Sequence, residues 1–290
     1  MKKYYSPTKP YATVKKHYPL FHTARFFLRP FLKPKLILSE PLPDEPVIFM
    51  ANHARMFGPV AMLFARRRPF RAWSNANLVF VKTSPRHMMR AFIPNANGVE
   101  RFFVRILASL IAPPLASALK ATGTIPVYRD LRIRTTYDKT FETLKEGLDI
   151  LIFPDSIFTD DENPYVGVLN DGAFKIFSLA ATYYDITPPP VCPVYCCKDL
   201  KTVCIGNVLR YDTNIDPKTA SENLKKAVSD GIKALGESLP PHKIIAAADV
   251  PNDPEKLKKY MTDAEIESYR RLQSSQRKKV TLYPPKTKER

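Results

Sequence analysis

Short unbroken apolar runs punctuate this chain, and the segments between them carry a helical period. Val47-Ile48-Phe49-Met50 and Ile150-Leu151-Ile152-Phe153 are rich in β-branched and aromatic residues, as strands buried on both faces are. Val191 to Tyr195 and Thr202 to Ile205 read as further strands, Thr124 to Arg129 as a short extended run, and Trp73 to Lys82 as a strand or short helix. Between them, Tyr137, Phe141 and Leu144 recur at helical spacing in a segment that closes on Gly147, a good C-cap. Phe174 to Tyr184 reads as another helix, and Asn223 to Leu235 as an amphipathic one.

Helices and buried strands therefore alternate from residue 36 to 212. That alternation predicts an α/β domain with a mixed, mostly parallel sheet flanked by helices. Residues 1–35, dense in Lys, Arg, Tyr, Phe and Pro, form a basic aromatic arm, and residues 213–290 a helical extension ending in a basic tail. The apolar stretch from Phe102 to Leu119 is broken by Arg105 and by Pro113-Pro114. It is too interrupted to span a bilayer and reads as a bent helical hairpin or an interfacial element, one that touches a membrane rather than crossing it. No apolar signal segment opens the chain.

Charge narrows the choice of partner. The 290 residues hold 45 Lys and Arg against 28 Asp and Glu, a net charge of +17. Such an excess selects anionic partners: nucleic acid, an anionic membrane, or a phosphorylated or CoA-like substrate. Nucleic acid is disfavoured, because zinc-finger spacing, an RNP-like aromatic motif and a basic region followed by heptads are all missing. Cys192, Cys196, Cys197 and Cys204 form no Cys-x-x-Cys pair and have no histidine beside them. They read as buried reduced thiols on strands, in a reducing, cytosolic compartment, rather than as metal ligands.

Candidate chemistry begins at Asn52-His53, where the first buried strand gives way to a loop. A histidine there has its backbone held by the strand and one face left open, the situation of a general base. Next come Gly123-Thr124-Ile125-Pro126-Val127-Tyr128-Arg129, then Ile152-Phe153-Pro154-Asp155-Ser156, then Val191-Cys192-Pro193-Val194-Tyr195. In order and spacing this set resembles the glycerolipid acyltransferase family, best known for the 1-acylglycerol-3-phosphate (lysophosphatidic acid) acyltransferases. There the blocks read Asn-His, four residues and Asp; a Gly-x-Ile-x-Val-x-Arg-like run; Phe-Pro-Glu-Gly-Thr-Arg; and a Val-Pro-Val-like strand. The resemblance covers residues 36 to 212.

The resemblance implies an acyltransferase-like fold. It also implies transfer of a fatty acyl chain from acyl-CoA or acyl-carrier protein to the hydroxyl of a lysophospholipid, in phospholipid biosynthesis or remodelling. His53 would take the hydroxyl proton, and Arg129 would clamp the acceptor phosphate through its bidentate fork. Lys82 is a second cation for that role, and Asp155 would help shape the acceptor site. The structural alternatives are an Arg129 ion pair with Asp130 or Glu142, and a turn or cap role for Asp155 after Pro154. No metal or tightly bound cofactor is implied. The expected partners are the acyl donor, the lysophospholipid and an anionic membrane, with the protein peripheral or interfacially embedded on the cytoplasmic side.

Two departures set the chain apart from the family pattern. Gly58 stands where the family has the aspartate that orients the histidine. In the third block Asp155 replaces the glutamate, Ser156 the glycine, Ile157 the threonine and Phe158 the arginine. Either another carboxylate folds in behind His53, with Asp155, Asp160 and Asp161 nearest by motif position, or the chain is a catalytically impaired, acyltransferase-like lipid-binding protein.

Overall fold

Four apolar residues in a row suit a strand covered on both sides, and Ile48–Ala51 is such a strand, wholly buried at the centre of a seven-stranded sheet. The computed structural model describes residues 27–245 apart from 28, 31, 56, 66–67, 86–97, 129, 160–161 and 185. The basic arm up to residue 26 and the tail beyond 245 lie outside the described residues. In chain order the elements are β1 (Lys35–Leu38), β2 (Ile48–Ala51), α1 (Phe57–Ala65), β3 (Phe70–Asn75), α2 (Ala76–Val79), α3 (Gly98–Ala121) and β4 (Ile125–Val127). They continue with α4 (Ile133–Lys145), β5 (Asp149–Ile152), β6 (Asp155–Thr159), β7 (Gly167–Leu169), α5 (Asp171–Thr182), β8 (Val191–Cys197), β9 (Thr202–Ile205) and α6 (Pro217–Glu237).

The main sheet runs β1-β9-β8-β2-β5-β3-β4, and β6 and β7 form a separate antiparallel pair. All neighbours in the main sheet are parallel except β8 and β9. The fold is thus α/β with a mixed, mostly parallel sheet flanked by helices. Successive side chains of a strand point to opposite faces, so Ile48 and Met50 join one core layer and Phe49 and Ala51 the other. On the first face pack Phe141 and Leu144 of α4, Phe174 and Phe177 of α5, and Leu224, Val228 and Ile232 of α6. On the second, α1 contributes Ala61, Met62 and Ala65.

The helix expected at Asn223 begins earlier, where Asp216 caps the backbone N–H groups of Lys218 and Thr219 and Pro217 occupies the first turn. Its apolar stripe belongs to the same core as the sheet. Gly147 closes α4 with φ 77°, the left-handed conformation for which glycine is suited. The four cysteines are unbridged thiols buried on β8 and β9, and burial raises the thiol pKa of Cys196, Cys197 and Cys204.

Trp73 to Lys82 divides into both expected alternatives, the end of β3 followed directly by α2. The segment expected as a bent hairpin is one continuous 24-residue helix, α3, with Pro113 and Pro114 inside it. Each proline removes an N–H, from the carbonyls of Ser109 and Leu110 respectively. Both of those residues are exposed, so their carbonyls are open to hydration and the helix persists. No described helix is long and apolar enough to cross a membrane.

Phe141 is buried at the α4–sheet interface with its ring 4.0 Å from that of Tyr184. Phe141→Ala should therefore lower stability by about 3–5 kcal/mol, measured from the shift of the urea midpoint at constant m-value.

Candidate active site

The site is built where β2 ends, beside β5 on one flank and β8 on the other. Asn52, fully buried, ties the strand exit to β8: its Oδ1 accepts the backbone N–H of Cys196 at 2.6 Å, and its Nδ2 donates to the Cys196 carbonyl at 3.3 Å. The next residue, His53, is thereby held against a strand that cannot shift without breaking both bonds.

Asp155 grips His53 at two points. One carboxylate oxygen, Oδ2, accepts the His53 backbone N–H at 3.0 Å, and the other, Oδ1, accepts from the ring Nδ1. The Asp155 side chain has 0% of its surface exposed, whereas 38% of the His53 side chain is open. A carboxylate on Nδ1 leaves Nε2 as the lone-pair nitrogen of the neutral ring, and Nε2 has no hydrogen-bond partner among the described residues. The ring also rests 4.7 Å from that of Phe153. Asp155 is itself positioned from behind, because Asn170 donates both its backbone N–H (2.8 Å) and its Nδ2 (2.9 Å) to the carbonyl of Pro154.

Gly58 has a steric explanation. After His53 the chain turns through Ala54 and Arg55, both at positive φ (41° and 58°), and enters α1 with the Gly58 N–H donating to the His53 carbonyl at 2.9 Å. A Cβ at position 58 would sit 2.5 Å from the His53 carbonyl oxygen and 2.7 Å from that of Asn52. Those are backbone atoms and cannot swing aside, so this turn excludes any side chain at 58, an aspartate included. The carboxylate comes instead from β6, the strand that follows the exit of β5.

Of the remaining sequence candidates, Asp155 and Lys82 are among the described residues. Asp155, expected either to shape the acceptor site or to stand behind His53, does the latter: one oxygen meets the imidazole and the other the His53 backbone N–H. Of the other two carboxylates considered, Asp160 and Asp161 lie outside the described residues, as does Arg129. Lys82 is exposed in the turn after α2 and lines a cavity of about 550 Å³ with Phe80, Lys120, Tyr128 and Arg132. This cavity opens at the exits of β3 and β4, on the same edge of the sheet as His53. From β2 to β3 is two strand spacings, about 10 Å.

Its charged lining residues, Lys82, Lys120 and Arg132, are all cations. Lys120 Nζ lies 5.7 Å from the centre of the Phe80 ring and the Arg132 guanidinium 4.6 Å from that of Tyr128. Arg132 is paired with Asp130, whose carboxyl it pulls down to about 2, while Lys82 and Lys120 form no ion pair among the described residues. Lys120 and Arg132 escape sequence reasoning, since one ends an apolar helix and the other lies in an arginine-rich stretch without a motif. Only the fold brings them to Lys82.

No protein-family model matches the chain, and neither does any curated protein.

The steric account of position 58 predicts that Gly58→Asp is destabilised by roughly 1–4 kcal/mol. A thermal melt coincident with that of the wild type would show instead that the turn accommodates a side chain.

Proposed function

We propose that this protein is a glycerolipid acyltransferase that moves a fatty acyl chain from acyl-CoA or acyl-carrier protein to the hydroxyl of a lysophospholipid. The observation that carries the reading is the His53–Asp155 pair, with Nε2 open at the carboxyl edge of the sheet. In open α/β sheets ligands bind outside the carboxyl ends of the strands.

The chemistry follows from the geometry. His53 Nε2 accepts the acceptor's hydroxyl proton as its oxygen attacks the thioester carbonyl. The C–O bond forms, the carbonyl π pair becomes an oxyanion, and Nδ1–H remains on Asp155, whose charge stabilises the imidazolium. Collapse of the tetrahedral species breaks the C–S bond, and the departing thiolate takes the proton from Nε2, returning the ring to its starting state. Asp155 is a positioning residue: it holds the tautomer and touches no substrate. Lys82, with Lys120 and Arg129, would bind the acceptor phosphate. The roughly 10 Å between strand exits is within the combined reach of a headgroup and a lysine side chain.

The second reading, a lipid-binding protein without turnover, has two grounds: Gly58 in place of the family's aspartate, and the degenerate third block at Asp155 to Phe158. Asp155 on the imidazole removes the first ground, and on that the catalytic reading is preferred.

The test is transfer of labelled acyl groups from both donors to lysophosphatidic acid. His53→Ala should abolish turnover. Asp155→Asn should lower kcat by about 10²–10⁴ with KM little changed, by analogy with the orienting carboxylate of a serine-protease triad. A rise in KM alone would return Asp155 to acceptor binding, and inactivity of the wild type with both donors would favour the binding protein. Lys82→Ala should raise KM for lysophosphatidic acid about 10-fold or more, the cost of one charge-assisted hydrogen bond, with kcat retained.

A further inference from the structure

We propose that the outer face of α3, together with the mouth of the cationic cavity at its foot, is the surface on which this protein docks to an anionic lipid bilayer. The proposal deepens the acyl-transfer reading, on which it rests for the purpose of the cavity, by naming the surface from which the acceptor is drawn.

The helix presents two unlike sides. Ala108, Ala112 and Ala116 recur every four residues and are buried, and α3 packs against α2. On the opposite side Phe102, Phe103, Ile106, Leu107, Leu110 and Ile111 form one stripe, and every one is exposed, Leu110 at 68%. The periodicity of an amphipathic helix is thus inverted relative to a core helix, with the small residues facing the protein and the large apolar ones facing out. Contiguous exposed apolar surface of this kind marks an interaction site.

Charge decides what covers it. From Phe102 to Ala121 the helix contains no acidic residue. Its last turn carries Lys120, which lines the cavity beside Lys82 and Arg132. Two more apolar side chains stand near those cations: Val81, and Leu131, which is 98% exposed between Asp130 and Arg132. A second copy of this chain would bring the same cations, and a net +17, against them. An anionic bilayer satisfies both halves of the surface, taking the apolar stripe into its interfacial layer and pairing its headgroups with Lys82 and Lys120, Arg132 being held by Asp130. The stripe from 102 to 111 is about 15 Å long, the size of an element lying in the membrane plane, and the cavity then opens toward the lipid.

The test uses the full chain with phosphatidylcholine vesicles, with and without phosphatidylglycerol. The wild type should bind the anionic vesicles, more weakly as salt rises, and Leu110→Glu should bind them at least about 10-fold less tightly. In Leu110→Trp the added indole should shift its emission to the blue on vesicles and be quenched by brominated lipid. The native Trp73, whose ring N–H donates to Thr140 at 2.9 Å in the sheet–helix packing, serves as the unchanged background.

Unaltered binding by Leu110→Glu, or an indole that stays in water on protein-loaded vesicles, would overturn the proposal. So would a wild-type dimer that Leu110→Glu converts to monomer while vesicle binding persists, which would make the stripe a contact between copies. Turnover on lysophosphatidic acid in detergent, without vesicles, should be retained in Leu110→Glu. If the wild type shows no turnover there, the acyl-transfer reading fails, and the vesicle experiments decide the docking surface by themselves.

Discussion

The two-point grip of Asp155 on His53 is the interaction on which the rest of the site depends. A histidine on a strand exit has two tautomers and several ring orientations, and only one combination aims a lone pair outward. Binding the backbone N–H with one oxygen and Nδ1 with the other removes both freedoms at once. The grip requires β2 and β5 to be neighbours and in register, which the pairing of Ile48 with Ile150 and Met50 with Ile152 provides. It also requires the Pro154 carbonyl to be anchored, which Asn170 does. A buried carboxylate is costly unless its lone pairs are satisfied, and this one is satisfied by the two donors of a single residue.

That arrangement also accounts for the local backbone. With the orienting carboxylate arriving from across the sheet, the residues after His53 are free to close tightly into α1. They do so through two successive left-handed residues, Ala54 and Arg55, and a glycine pressed against the carbonyls of Asn52 and His53. In the glycerolipid acyltransferase pattern with which the sequence was compared, the carboxylate sits within the same loop. The two solutions are mutually exclusive here, because the space for a side chain at 58 is occupied by the backbone that carries the histidine.

Much of this was legible in the sequence where burial dictates composition. β2, β5, β8 and β9 announce themselves because strands covered on both faces admit little but apolar residues. β1 does not, since Lys35–Leu38 is an edge strand exposed at both ends. The β6–β7 pair was equally silent, since three residues, Gly167–Leu169, are too few to carry a period and β6 follows directly on Pro154. His53 and Asp155 could be named from motif position. That Asp155 serves the imidazole stood only as one of three alternatives, with Asp160 and Asp161, because the two residues lie 102 positions apart and meet only through strand adjacency. The cationic cavity was hidden for the same reason: Lys82, Lys120 and Arg132 come from three segments. The long apolar helix was visible, but not which of its faces the protein leaves bare.

The most direct test of the central claim is the tautomer of His53, read from nitrogen chemical shifts of the protein labelled with ¹⁵N-histidine and assigned by difference with His53→Ala. The account predicts a neutral ring protonated on Nδ1, with a low-field proton on that nitrogen and Nε2 bare. A neutral ring protonated on Nε2 would contradict it, since Asp155 would then not be holding the ring and His53 would have no lone pair to offer.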